Sequence, residues 1–231
     1  MLGPMGKRVL HDHWFRLAKE EGYVARSAYK LKQIQEHRRI VRRGDAVLDL
    51  GCAPGSWLQV LEELVGSKGV VVGIDRREVR LTLGDRVVTL VGDIRETPEA
   101  DLLAPIRDGG GDGGRLFDAV VSDMAPDTGG AGDADRSAHL CRDVLAVLPG
   151  LLRDGGNLAM KVLEGGENPA VIAETRAVFW EAKGFKAKAS RDVSKEMFVI
   201  ARGYRPATRE EAGERKSLPP HLRFSESDFL D

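Results

Sequence analysis

Four charged residues stand in or beside short apolar runs, where folding would gather them into one site. Asp123 closes the run FDAVVSDM, Lys161 lies inside NLAMKVL, Glu196 directly precedes MFVIARGY, and Lys30 lies in the basic segment RSAYKLKQI. An ammonium buried in an apolar strand without a partner is costly, so Lys161 requires a carboxylate neighbour, for which Asp123 is the candidate. A purely structural ion pair is the alternative for any single Asp and Lys. The two further charges favour a site that orients a substrate or moves a proton.

A second set of residues follows the first three apolar runs in order. The first run ends in LDLGCAPGSW, whose small residues, with Gly55 and Trp57, let the backbone approach a ligand at the start of a helix. Neither the GxxxxGK[ST] nor the GxGxxG phosphate pattern is present. The second run ends in Asp75, placed to accept hydrogen bonds from ribose hydroxyls, and the third ends in Asp93, placed to reach an adenine edge. This order predicts an adenosine-containing cofactor without a bound phosphate, and S-adenosylmethionine fits; a coincidence of common turn residues is the alternative.

The elements that position these residues follow from the hydrophobic pattern. From Ala46 onward, apolar runs alternate with helical patterns. Continuous Val, Ile and Leu runs are typical of strands covered on both faces, so the sequence predicts a doubly wound α/β fold with a parallel sheet. Ligands of such sheets bind beyond the carboxyl ends of the strands, where the charged residues lie. One helical pattern, PAVIAETRAVFWEAKG, includes Phe179 and Trp180, which are expected to face the core.

The charge of the chain is unevenly distributed. The whole chain has 35 Lys+Arg and 36 Asp+Glu, but residues 1–45 hold 11 basic and five acidic residues. Residues 92–135 hold 11 acidic residues and three arginines. A basic arm suits a polyanion such as RNA, because phosphate contacts dominate affinity for nucleic acids; a solvated helical face is the alternative. Trp14 and Tyr29 lie within the arm and would either stack on RNA or pack the arm onto the body.

Composition excludes several classes of protein. A chain of 231 residues with 42% hydrophobic residues fits one α/β domain with short appendages. The two cysteines, Cys52 and Cys141, are too few for a disulfide framework, which predicts a reduced, cytoplasmic protein. No apolar run approaches the roughly 20 residues of a membrane span. His11, Asp12 and His13 lack a third ligand at recognisable spacing, so no metal site is expected. We expect a monomer.

Taken together, RSAYKL, LDLGCAPGSW, GID, GDI, SDMAP, MKVLEG and SKEMFVIARGY resemble the FtsJ/RrmJ family of S-adenosylmethionine-dependent ribose 2'-O-methyltransferases. The similarity is closest to the bacterial large-subunit rRNA (23S rRNA uridine-2'-O-) methyltransferase E group, and it runs from about His11 to Tyr204. It implies a Rossmann-like class I methyltransferase fold, with a mostly parallel seven-stranded sheet and helices on both faces. The chain would then divide into an RNA-facing arm (1–45), a methyltransferase domain (46–204) and a polar tail (205–231).

The resemblance also implies roles for individual residues. The catalytic tetrad would be Lys30, Asp123, Lys161 and Glu196. The cofactor would be bound by Gly55, Trp57, Asp75, Asp93 and Asp123. Lys161 would orient and polarise the 2'-oxygen or, if neutral, accept its proton; Asp123 and Glu196 would orient Lys161, and Lys30 would contribute charge toward the RNA. Ser56 departs from the pattern, since the family turn often has a second glycine there.

The target implied by the resemblance is a uridine in the A-loop of 23S rRNA, within the 50S ribosomal subunit. Methylation of the tRNA anticodon loop is an alternative with the same chemistry. A non-catalytic RNA-binding module would not need the complete tetrad, and a small-molecule methyltransferase would have no use for the basic arm.

Overall fold

The sheet has seven strands, and helices cover both of its faces. The computed structural model describes residues 13–107, 114–126, 132–189 and 195–205. The strands are β1 (Ala46–Leu50), β2 (Val70–Asp75), β3 (Val87–Val91), β4 (Phe117–Ser122), β5 (Leu152–Leu163), β6 (Phe179–Phe185) and β7 (Glu196–Tyr204). The described helices are α1 (13–20), α2 (Ala28–Arg38), α3 (Ser56–Val65), α4 (Glu99–Arg107), α5 (Asp133–Leu151) and α6 (Asn168–Val178), with a short 3-10 turn at Gly66–Lys68.

The strand order is β3-β2-β1-β4-β5-β7-β6. Pairing is parallel from β3 through β5, whereas β7 runs antiparallel to both β5 and β6. Every residue of β1 is buried, as expected for a central strand with helices on both faces. The predicted α/β class, the mostly parallel sheet and the number of strands are therefore confirmed.

Two apolar clusters fill the space on either side of the sheet. One joins the sheet to α4, α5 and α6 and includes Leu48, Leu102 and Leu148. The other joins the opposite face to α2 and α3 and includes Leu31 and Trp57. Because side chains alternate along a strand, neighbouring residues of β1 belong to different clusters.

The described part of the predicted arm contributes to this second cluster. Ala18, Tyr29, Ile34 and Ile40 are all buried there against the sheet and α3. Trp14 packs on Tyr29 with ring centroids 4.9 Å apart, and the Tyr29 side chain is buried. Of the two roles considered for these rings, the geometry favours packing of the arm onto the body.

Strand β6 lies where the sequence pattern predicted the continuation of a helix. Helix α6 ends at Val178, and Phe179–Phe185 pairs with β7 as an edge strand. The prediction that Phe179 faces the core is confirmed, but Trp180 is 76% exposed, with the Arg205 guanidinium 4.8 Å from its ring centroid. The helical prediction is confirmed as far as Val178 and was wrong from Phe179 onward, because pairing with β7 supplies hydrogen bonds that local periodicity does not reveal.

Some sequence features fall outside the described ranges. These are His11 and Asp12, most of the glycine-rich run at 109–114, and all but the first residue of the predicted tail. Within the described ranges, no helix combines the length and the apolar character that a membrane crossing requires.

Candidate active site

The carboxyl ends of β1, β2, β4 and β5 meet along one edge of the sheet, which we call the catalytic edge. In register, Leu50 of β1 lies beside Ser122 of β4, and Ser122 lies beside Met160 of β5. Asp123 and Lys161, each one residue farther along, therefore reach the edge as neighbours. The parallel register thus brings together residues that are far apart along the chain.

Asp123 lies between two ammonium groups. Its Oδ1 is 3.1 Å from Lys161 Nζ and 3.6 Å from Lys30 Nζ. Lys161 also donates a hydrogen bond to the backbone carbonyl of Asp123. Among the described residues, Oδ1 has no partner with hydrogen-bond geometry, so the contact with Lys161 is an ion pair without that alignment. The carboxylate therefore holds both ammonium groups chiefly through charge.

Glu196 completes the cluster from the start of β7. Its Oε1 accepts a hydrogen bond from Lys30 Nζ at 3.1 Å. Lys30 is 6% and Lys161 7% exposed, which is unusual for lysine and is tolerated because each has a carboxylate partner. The predicted tetrad, Lys30, Asp123, Lys161 and Glu196, forms one connected group. Glu196 thus contacts Lys30, and the expectation that it orients Lys161 stays a prediction.

The turn from β1 into α3 lies beside this cluster. Gly55 has a φ of 110°, a region that favours glycine, and a Cβ there would lie 2.5 Å from Leu81 Cδ1 and 3.1 Å from Val79 Cγ1. The turn delivers the first backbone N–H groups of α3, which lack partners within the helix and favour an anionic group. The turn therefore has the form of a backbone cradle for a ligand.

Trp57 lies in the first turn of α3 with its side chain turned inward. It is 2% exposed, packs against Phe198 with ring centroids 5.8 Å apart, and donates its indole N–H to the Ser27 carbonyl at 2.9 Å. A ligand at the turn would therefore meet the backbone N–H of Trp57, while the indole anchors α2.

Asp75 ends β2 and faces the same turn. Its Oδ2 accepts a hydrogen bond from Ala53 N at 3.0 Å, and its Oδ1 accepts one from Arg77 N at 2.8 Å. Each carboxylate oxygen has further acceptor capacity, so the residue can hold the turn and still accept hydroxyl groups. This placement is compatible with the predicted contact to a ribose.

Asp93 lies two residues beyond β3 in a fork of Arg95. The Arg95 side chain donates to both carboxylate oxygens, at 3.0 and 2.6 Å, and its backbone N–H donates at 3.0 Å. These bonds lower the pKa of Asp93 to about 2, against a smaller opposing effect of burial. An adenine amine directed at this carboxylate would share it with Arg95.

Asp49 is a fifth carboxylate near the site, and the sequence interpretation missed it. It lies inside β1, 1% exposed, and its Oδ2 has no hydrogen-bond partner in the described part of the chain. Burial raises the pKa of Asp49 well above its ordinary value, and the charges of Asp123 and Asp75 raise it further. The signal was available, because a charged residue within AVLDL is as unusual as Lys161 within NLAMKVL.

The two thiols lie in apolar surroundings. Cys52 and Cys141 are free and buried, and burial is the largest cause that raises the pKa of each. Such thiols resist ionisation and behave as small apolar groups. Within the described ranges, no three His, Cys, Asp or Glu side chains are grouped as metal ligands.

Comparison with known proteins identifies the family. The model of the FtsJ-like methyltransferase family matches residues 23–204. A "Ribosomal RNA large subunit methyltransferase E" from Desulforapulum autotrophicum is 42% identical over 194 residues, which cover 83% of this chain and 92% of the relative. One of the same name from Halorubrum lacusprofundi is 40% identical over 221 residues, which cover 95% and 80% respectively.

Among solved structures, a Plasmodium falciparum protein described as a ribosomal RNA methyltransferase superposes with a TM-score of 0.67. It is 22% identical, and the match covers 79% of this chain and 98% of that one. This structural similarity shows the fold, while the family model and the two relatives show which family the chain belongs to. The chain belongs to the FtsJ-like methyltransferase family.

Proposed function

We propose that this protein transfers the methyl group of S-adenosylmethionine to a ribose 2'-hydroxyl of large-subunit ribosomal RNA, and that its target is a uridine of the 23S A-loop in the 50S subunit. The observation that carries the proposal is the cluster of two lysines and two carboxylates at the catalytic edge, beside the turn at Gly55. Family membership and the names of the relatives support methyl transfer to large-subunit rRNA.

The residues around the turn fit the cofactor. Gly55 leaves open a space that a Cβ would fill, and Asp75 ends the neighbouring strand with acceptor capacity for ribose hydroxyls. Asp93 would take the adenine edge, and the N–H groups of α3, including that of Trp57, would take the carboxylate of the methionine end. When bound, S-adenosylmethionine supplies an activated methyl group on a sulfonium centre.

The task left to the protein is alignment of the hydroxyl and management of one proton. A ribose hydroxyl is a poor nucleophile at neutral pH, and holding it in line with the methyl group can remove several kcal/mol from the barrier. Lys161, held by the carboxylate and the carbonyl of Asp123, would orient the 2'-oxygen. Lys30, held by Glu196, would add a second positive charge beside the oxygen as the hydroxyl proton passes to solvent water.

The division of labour along the chain is part of the proposal. Residues 46–204 would bind the cofactor and carry most of the catalytic cluster. Residues 1–45 would contribute Lys30 and cations for the RNA backbone, because a phosphate contact needs a positive charge but no base-specific pattern. The tail from residue 205 has no assigned role.

The test is a methylation assay with three substrates. The protein is incubated with S-adenosylmethionine carrying a labelled methyl group and, separately, with undermethylated 50S subunits, free 23S rRNA and bulk tRNA, and any 2'-O-methyl group is mapped. We expect labelling of one A-loop uridine, strongest in 50S subunits, and none with the Lys161→Met variant. Labelling of tRNA instead would assign an anticodon-loop methyltransferase. RNA binding without labelling would reduce the protein to a binding module.

A further inference from the structure

The segment before α2 is docked on one face of α3 by polar contacts. Gln59 donates to the Gly22 carbonyl at 2.9 Å and accepts from Val24 N at 3.0 Å. Glu63 accepts a hydrogen bond from the Tyr23 hydroxyl at 2.6 Å. These residues of α3 are spaced by four and therefore share one helix face. The helix that begins at the cofactor turn thus carries the segment that leads to Lys30.

A further contact, at the first residue of α3, joins two serines. Ser27 Oγ lies 2.7 Å from Ser56 Oγ, within the turn that starts α3. Ser27 occupies the N-cap position of α2, yet its hydroxyl makes no capping hydrogen bond to that helix. A serine at an N-cap usually caps its own helix, but the hydroxyl of Ser27 forms a hydrogen bond with the first residue of α3 instead. Ser56 is only 3% exposed, so its hydroxyl needs a hydrogen-bond partner within the protein, and Ser27 supplies one.

A second path joins the same two elements. Trp57, next to Ser56, donates its indole N–H to the Ser27 carbonyl, and that carbonyl also accepts from Lys30 N at 3.0 Å. The indole packs against Phe198, whose ring centroid lies 5.9 Å from Lys30 Nζ. The backbone of Lys30 and the surroundings of its ammonium group are therefore both tied to the first turn of α3.

We propose that Ser27 and Ser56 are positioning residues, whose hydroxyl contact fixes the start of α2 to the cofactor turn and so holds the Lys30 ammonium at Asp123 and Glu196. This inference rests on the proposed function, because it assigns the contact a role in methyl transfer. Neither serine touches the reacting atoms, so both act through Lys30.

The experiment compares four variants: Ser27→Ala, Ser56→Ala, the double variant and Ser27→Thr. Single-turnover methylation of undermethylated 50S subunits is measured at saturating cofactor, together with KM for the subunits, cofactor affinity by calorimetry and thermal stability. Ser67→Ala is the matched control, because Ser67 is an exposed serine in the turn after α3. A readout independent of activity is the rate of Lys30 acetylation by trace acetic anhydride, with the exposed Lys186 as internal reference.

We expect each alanine variant to lower the single-turnover rate roughly fivefold, as for the loss of one neutral hydrogen bond, while KM and cofactor affinity change by less than about twofold. The double variant should be no slower than the slower single variant, because both lose the same contact. Ser27→Thr keeps the hydroxyl and should restore the rate. Lys30 should be acetylated faster in the alanine variants, whereas Ser67→Ala should match wild type in every measurement.

Three results would overturn the inference: unchanged rates in both alanine variants, a Ser27→Thr variant as slow as Ser27→Ala, or Lys30 acetylation equal to wild type. If wild-type protein methylates no RNA, the proposed function fails, and the acetylation rates alone decide whether the serine contact positions Lys30.

Discussion

The Asp123 carboxylate lies between two nearly buried ammonium groups, and this arrangement decides what a change at Lys161 does. Without Lys161, Asp123 keeps Lys30 at 3.6 Å, so no carboxylate is left without a charged neighbour. Loss of fold stability should therefore be smaller than the roughly 3 to 5 kcal/mol of a fully broken buried pair. Catalysis and stability can thus be separated at this position.

We predict that Lys161→Met, which keeps the length of the side chain and removes the charge, lowers the single-turnover methylation rate at least about a hundredfold. Thermal stability and cofactor affinity should stay near those of wild type. The matched control is Lys68→Met, since Lys68 is exposed in the turn after α3. Rapid methylation by Lys161→Met would reduce the Asp123 and Lys161 contact to a structural ion pair.

Asp75 holds the turn through two backbone hydrogen bonds and is also proposed to bind the cofactor, and the two roles can be distinguished. Asp75→Ala should weaken S-adenosylmethionine binding by roughly 1 to 3 kcal/mol and also destabilise the turn, because Ala53 N and Arg77 N lose their acceptor. Asp75→Asn keeps one acceptor oxygen and should fall between alanine and wild type. Calorimetry measures the affinity, with Asp85→Ala as the matched control because Asp85 is exposed in the turn before β3. Wild-type affinity in Asp75→Ala would remove Asp75 from the site.

Asp49 should make stability depend on pH. The pKa of Asp49 is raised in the folded protein. The protonated carboxyl therefore adds its full contribution to the free energy of unfolding below the unfolded-state pKa of about 3.9, and this contribution is lost as the pH rises through the folded-state pKa. In cofactor-free protein, Asp49→Asn removes this titration. The melting temperature of the variant relative to wild type should therefore be higher at pH 8 than at pH 5. A difference independent of pH would show that the carboxyl titrates alike in both states.

The glycine turn can be tested with a control already present in the chain. Gly55 and Gly22 both have positive φ, but a Cβ at Gly22 would meet no atom within 4 Å, whereas one at Gly55 would strike Leu81. Gly22→Ala therefore measures backbone strain alone, of order 1 kcal/mol. We expect Gly55→Ala to destabilise the protein more and to weaken cofactor binding at least about tenfold. Equal effects of the two variants in denaturant unfolding and calorimetry would mean that the space at Gly55 is unimportant.

The elements differ in how far the sequence could predict them. Strands β1, β2 and β4 are apolar runs that end at candidate functional residues. The hydrophobic pattern and the geometry of a parallel sheet were therefore enough to predict these strands and their place beside the site. Strand β6 was missed because no glycine or proline separates it from α6, and because its role depends on β7. The contact of Glu196 with Lys30 was also beyond prediction, since it spans 166 positions and depends on the packing of α2 across the sheet.

At the scale of the molecule, the cations near the catalytic edge are separated from those at the opposite edge. Lys186 and Lys188 follow β6 at the catalytic edge, whereas Arg42 and Arg43 precede β1. Arg43 there lines a cleft with Asp45, Asp118 and Arg153. The length of β1 alone, about 17 Å for five residues, separates the two groups. If the target ribose lies at Lys161, the affinity for RNA should therefore depend more on Lys186 and Lys188 than on Arg42 and Arg43.

We predict that joint reversal of Lys186 and Lys188 to Glu weakens RNA binding and lowers the slope of log affinity against log salt by about two. Joint reversal of Arg42 and Arg43 to Glu is the matched control and should change the slope less, with cofactor affinity intact in both. Filter binding over a range of salt concentrations provides the measurement. A larger effect from the arginine pair would place the RNA path along the other edge.

Strand β7 is the last strand among the described residues, yet it lies between β5 and β6. During synthesis, β6 therefore emerges before its neighbour exists, and β5 presents an open edge until β7 follows. A nascent chain that has not reached Glu196 already contains the Gly55 turn, Asp75, Asp123 and both lysines, but Lys30 lacks its second carboxylate. The order of synthesis thus separates the residues proposed to bind the cofactor from the completed charge cluster. Methylation activity should appear abruptly, as β7 is inserted, rather than grow with chain length.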